Sequence, residues 1–154
     1  MKNVYFFSAY PYWKPHFMQE HKEYIAILED LGVKTVLGHF KEKKVYCHNC
    51  HTTITKHEEK QTDVNIAMQI LRDCYEKQCD CMQIISADTD LTTPIKFAKD
   101  KGIKIDIVLP PHRISNELTD LADKKSNIKT KHLQNAYLGQ SYTLKSGKVL
   151  QNSY

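Results

Sequence analysis

No apolar run in this 154-residue sequence approaches the roughly 18 residues that a membrane-spanning helix needs, so no membrane partner is expected. The amino-terminal stretch MKNVYFFSAYPYWKPHF has neither the long apolar segment nor the small-residue cleavage site of a secretory signal, which makes the cytoplasm the expected compartment. There is no internal repeat and no low-complexity tract. A disulfide framework is also disfavoured, because the cysteines number five and a cytoplasmic chain would keep them reduced. What is present is enough apolar material, 41% of residues, to build a core of ordinary size. The formal charge of +4 is a mild excess that helps a polyanion approach without proving that one binds.

Aromatic and β-branched residues predict a strand over Val4–Ser8, followed by a loop marked by Pro11 and Pro15. Apolar residues recur at helical spacing from His16 to Leu31, and Gly32 supplies the stop. A second strand is expected in VKTVLGHF, residues 33–40. The next twenty residues, 41–60, are polar and irregular enough to be read as a loop insertion. A helix is expected over about 62–77, a third strand in MQIISA, and a short helix over Pro94–Lys101 closed by Gly102. IKIDIVL is a fourth strand ending at Pro110-Pro111, with helices near Ser115–Lys124 and Lys131–Leu138, and the last residues are expected to fray. Strands alternating with helices call for an α/β fold with a mostly parallel sheet, in which ligands bind at the carboxyl ends of the strands.

That edge is where IISADTDL places Asp88 and Asp90. Aspartate commonly caps turns after strands, so the pair alone is weak evidence for a site. Asp63 adds to it. At 3.6 residues per turn it shares a side with Ala67, Ile70 and Cys74, which predicts that it points toward the sheet, although a helix N-terminus also favours an acid there. Three carboxylates at one sheet edge repel each other unless a cation neutralises them, and hard ions such as Mg²⁺ or Mn²⁺ prefer oxygen ligands. An ion held this way can activate water for phosphodiester hydrolysis. Lys60, Lys96 and His112-Arg113 are candidate phosphate contacts, with Arg113 and Lys96 the substrate candidates. A phosphatase with an aspartate nucleophile in DTD is a weaker alternative, because such enzymes usually place that motif after the first strand.

With these residues in place, the chain resembles the NYN domains of the PIN-like ribonuclease superfamily, in particular the LabA-type bacterial group. The matching stretches are HFKEKKVYCHNC, HEEKQTDVNIAMQIL, IISADTDLTTPIKFAKDKGIKIDIVLPP and HRISNELTDLAD. The resemblance implies a three-layer α/β/α PIN-like fold over residues 1–140, with a tail over 141–154. It implies Mg²⁺ or Mn²⁺ at Asp63, Asp88 and Asp90, with Asn65, Ser86 and Thr89 as supporting groups, and RNA as partner, expected to be single-stranded; Lys60, a candidate phosphate contact, is counted with the supporting groups. Family members open with a strand bearing an IDGxN-like motif whose aspartate is a ligand, and no such segment precedes NVYFFSAY. The expectation is therefore an N-terminally truncated domain with one acidic ligand outside this chain. Two functions follow from it. One is a divalent-metal-dependent ribonuclease or a truncated relative of one; the other is a catalytically inactive RNA-binding or protein-interaction module of the same fold.

The insertion carries CHNCHTTITKH. Thiolate and imidazole suit zinc, and C-x-x-C is half of a common structural site, but no second half follows at a standard spacing. Two readings stay open: a Zn²⁺ clip on Cys47 and Cys50 completed by two of His39, His51 and His57, or free or paired thiols. A zinc ion bridging two chains, and homo-oligomerisation with it, is a third.

Overall fold

The computed structural model describes residues 3–151, and the chain divides into two compact units, residues 1–65 with 138–154 and residues 66–137. Among the described residues, no helix is long and apolar enough to cross a membrane. The expected α/β class is borne out, with parallel pairing in both units.

In the first unit, strand β1 (Tyr5–Ser8) pairs in parallel with β2 (Lys34–Leu37), from Tyr5↔Lys34 to Ser8↔Leu37. Helix α1 (Pro15–Asp30) connects them. Pro15 suits the first helical turn, where its missing N–H has no intrahelical role. The helix stops as expected: Gly32 adopts φ +90°, and the amides of Gly32 and Val33 donate to the carbonyls of Glu29 and Leu28. Ile25 and Ile27 are its buried residues.

The expected loop over 41–60 is instead a regular hairpin. Strand β3 (His39–Cys47) runs antiparallel to β4 (Thr52–Lys60), in register from His39↔Lys60 to Cys47↔Thr52. Its polarity conceals a period of two. Register places Phe40, Tyr46 and His57 on one face, and Lys41, Lys43, Lys56, Glu58 and Lys60 on the other. Trp13 covers the aromatic face, stacked on His57 with 3.8 Å between centroids and edge-on to Phe40 at 4.6 Å. On the other face Glu58 pairs across the ladder with Lys43 at 2.9 Å, a contact of the kind that stabilises sheets, and along its own strand with Lys60 at 2.8 Å. The two lysine contacts, Lys60 first, hold the Glu58 carboxyl down to about 2.

The strand expected over 33–40 breaks at Gly38. A Cβ there would lie 2.5 Å from the Lys60 carbonyl oxygen and 2.7 Å from Thr62 Oγ1, so only glycine lets the two chain segments approach this closely. The tail, for which the sequence predicts no element, carries two strands. Strands β8 (Ser141–Thr143) and β9 (Val149–Gln151) form a hairpin, tied to the end of α1 by the Tyr142 hydroxyl and the Lys145 amide, each donating to Asp30 at 3.0 Å. Residues 152–154 lie outside the described residues.

Helix α2 (Thr62–Tyr75) opens at the boundary of the units and runs unbroken into the second. Strands β5 (Cys81–Ile85), β6 (Lys104–Leu109) and β7 (Lys124–Asn127) form a parallel sheet in the order β5-β6-β7, with α3 (Thr92–Asp100), α4 (Asn116–Leu121) and α5 (Thr130–Ala136) on the connections and the chain beyond. Ile105, Ile107 and Leu109 of β6 pack with Ile70 and Cys74 of α2, Ile95 and Ala98 of α3 and Leu118 of α4. The helix expected over 115–124 ends at Leu121, and β7 was not anticipated. Its sequence, KKSN, lacks apolar alternation because backbone bonding to β6 sets its place. Asp123 leads into it, accepting from the Ile105 amide at 2.8 Å and from Lys99 at 2.9 Å.

Gly38→Ala is expected to destabilise the chain by about 1–3 kcal/mol, because the new methyl group meets backbone that cannot move freely. A lower urea midpoint at unchanged m-value would show it, and an unchanged midpoint would contradict the close approach.

Candidate metal centre

At the carboxyl end of β5 the chain turns out through Ser86, Ala87 and Asp88. Ser86 Oγ accepts the Asp88 amide at 3.0 Å, and Asp88 Oδ1 accepts the Asp90 amide at 3.0 Å. Asp88 thereby caps a one-turn 3-10 helix over Thr89–Leu91, which Leu91, 1% exposed, anchors in the core. The ordinary strand-end role of Asp88 is thus real, and it occupies one lone pair of one oxygen. Thr89 and Asp90 are exposed in the same turn.

Asp63 lies in the first turn of α2. It is exposed, not turned into the sheet as helical periodicity predicts. The buried residues of α2, Ile70 and Cys74, begin two turns farther on, and Val64 and Met68 are exposed as well. The boundary between the compact units cuts α2 two residues after Asp63, but the helix is continuous across the cut. One carboxylate oxygen from each of Asp63, Asp88 and Asp90 lies within 4.8 Å of the other two. Carboxylates are acceptor-only and alike in charge, so this proximity raises their mutual repulsion unless a cation or proton intervenes. The donor set is all oxygen and open to solvent, which fits a hard divalent ion that retains several waters.

The remaining expected residues are distributed unevenly. Arg113 shares a shallow, open depression with Ser86 and Asp88, lined further by Ile85, Ala87, Pro110 and Ile114. Sequence reasoning missed Pro110 and Ile114 as neighbours of the site. The available signal was that parallel neighbours β5 and β6 end at the same sheet edge. Lys96 is exposed on α3, and Lys60 is engaged with Glu58 on the hairpin. Asn65 donates its amide to the Gln61 carbonyl at 2.7 Å in the first turn of α2.

The cysteine–histidine group is only partly assembled. Cys47 closes β3 and Cys50 stands in the turn, both as free thiols. The Thr52 hydroxyl, 2.9 Å from Cys50 Sγ, and then the Cys47 thiol hold Cys50 below the usual thiol range. His51 Nδ1 contacts the Tyr46 hydroxyl at 3.0 Å. His57 sits opposite Glu42, five residues along β4 from Thr52, which at about 3.4 Å per residue is roughly 17 Å from the tip. His39, at the far end of the hairpin, contacts Gln61 at 3.1 Å. The structure therefore does not bring His39 or His57 to the CxxC. Burial pushes the Cys74 and Cys79 thiols up, which suits packing and not reactivity.

Asp88→Ala removes the cap and is expected to lower stability by about 1 kcal/mol, whereas Asp88→Asn keeps an acceptor oxygen there and loses little. Urea unfolding of the two variants distinguishes them, and equal losses would contradict the capping role.

The NYN domain model matches residues 3–129 of the chain. A solved structure of a protein of unknown function from Vibrio parahaemolyticus is similar in fold, with a TM-score of 0.60 at 15% identity over 84% of this chain and 70% of that one. A search of curated proteins finds no match. With helices flanking parallel ladders, an acidic cluster at the end of β5, and a family match spanning both units, the chain belongs to the NYN domain family of PIN-like nucleases.

Proposed function

We propose that this chain is a divalent-metal-dependent ribonuclease of the NYN/PIN-like type, in which Asp63, Asp88 and Asp90 hold one Mg²⁺ or Mn²⁺ ion. The observation that carries the reading is the convergence of these three exposed carboxylates within 4.8 Å. When bound, such an ion offsets their charge, activates water for attack and stabilises charge building on a phosphoryl group.

The chain's own residues hold and present the site. Ser86 and the 3-10 turn orient Asp88, so its carboxylate does not need to be ordered when a ligand arrives. Thr89 lies in the same turn, and Asn65 lies in the first turn of α2 beside Asp63. Arg113, in the depression next to Asp88, is placed to take a phosphate by charge-assisted hydrogen bonds. Lys96, exposed on α3, steers the polyanion by its charge, and Lys60 serves only by leaving Glu58. An exposed site of this kind suits a flexible single strand, and the mild positive charge of the chain aids its approach. A cytoplasmic setting belongs to the same reading.

The test is cleavage of labelled single-stranded RNA by the purified chain with Mn²⁺ or Mg²⁺. Cleavage is expected to vanish in EDTA and to fall by about 100-fold or more in Asp88→Asn, since even outer-shell changes at metal sites cost 10–100-fold. Because Asp88→Asn keeps the cap, such a loss reports the missing charge and not unfolding. RNA retained but left uncut with Mn²⁺ present would transfer the chain to the alternative, a binding module of the same fold.

A further inference from the structure

The tip of the β3–β4 hairpin brings together two of the residues that zinc prefers. Cys47 is the last residue of β3, paired with Thr52, and the four residues 48–51 turn the chain back. His51 adopts φ +52°, a left-handed conformation that is unfavourable for a non-glycine residue. Cys50 stands in that turn, two residues before the register partner of Cys47, so both cysteines lie at the tip. The Thr52 hydroxyl lies 2.9 Å from the Cys50 sulfur.

Structural zinc is almost always four-coordinate and tetrahedral. Among the described residues, the Asp63, Asp88 and Asp90 group is the one set of three or more donors near enough to share an ion, so the tip supplies two ligands and not four. His51 is turned to Tyr46, His48 packs edge-on to the Tyr46 ring, and His39 and His57 lie elsewhere on the hairpin. The tip is exposed, with Cys50 open to solvent, so a second molecule can reach it. Lysines 43, 44 and 56 follow within a few residues and lessen the cost of added negative charge.

We propose that Cys47 and Cys50 form half of a structural zinc site that the same two cysteines of a second copy of this chain complete, giving four thiolate ligands across a twofold axis. Each cysteine gives up its thiol proton on binding, so four protons leave per Zn²⁺ and the centre carries a net charge of −2. A twofold arrangement uses the same patch on both copies, the commonest way that soluble chains pair. The proposal is independent of ribonuclease activity.

The experiment titrates Zn²⁺ into the reduced, metal-free full chain, reading bound zinc by a chromogenic chelator and mass by light scattering. One zinc per two chains is expected, with the mass doubling on addition and halving in EDTA, and Co²⁺ is expected to give the intense absorption of four thiolates. Cys50→Ser should abolish both binding and dimerisation with an unchanged far-ultraviolet spectrum, while the double variant His48→Ala, His51→Ala should retain both. One zinc per monomeric chain, zinc binding that survives Cys50→Ser, a mass indifferent to zinc, or no zinc bound at all would each overturn the proposal.

Discussion

Burial of β6 is the constraint on which the second unit depends. Five of its six residues are buried, with parallel neighbours on both sides, so its backbone groups are satisfied only by β5 and β7 in one register. One face of β6 carries Ile105, Ile107 and Leu109 into the core. On the other, Asp106 accepts from Gln83 at 2.9 Å and faces Lys124 at 3.5 Å, a polar row across the three strands. A one-residue slip would exchange these faces and put a carboxylate among isoleucines. The register that avoids this also fixes where β5 ends, and with it the point at which Asp88 leaves the sheet.

The acidic cluster shows that a structural role and a ligand role need not compete. Asp88 caps the 3-10 turn with one oxygen, while Leu91 three residues on seats that turn in the core. The result is a carboxylate held in place before any ion arrives, which lowers the ordering cost of binding. Asp63 stands in the first turn of a helix whose later turns are packed. Like charges lying this close carry a cost that folding alone would not favour, and such cost is common where a ligand supplies the balance.

The β3–β4 hairpin follows a different rule. It has few apolar residues and stands on a full antiparallel ladder, a Trp13 cover over His57 and Phe40, and charge pairs on its other face. Its aromatic and basic residues are interleaved at a spacing of two, so averaged polarity resembles that of a loop. The same residues read alternately reveal two distinct faces. Its tip, with the CxxC, is then a turn of defined geometry.

Much of the parallel framework was legible in the chain. Helical spacing and a glycine stop located α1, apolar runs located β5 and β6, and strand-end logic placed Asp88 and Asp90 at a sheet edge, because these signals are local and repeat within a few residues. Long-range contacts decided the rest. KKSN becomes β7 only because β6 offers bonds to it, and the tail becomes a hairpin only because Asp30 anchors it. His57 leaves the cysteines because the register of a nine-residue ladder carries it along β4 toward Trp13. Asp63 shares a helical side with Ile70 yet is exposed, since periodicity gives direction around a helix axis and not how far along it the core extends. Residue types along the chain limit which side chains can bind a metal, but only packing and register bring particular ones together, because distance between side chains is not set by spacing along the chain.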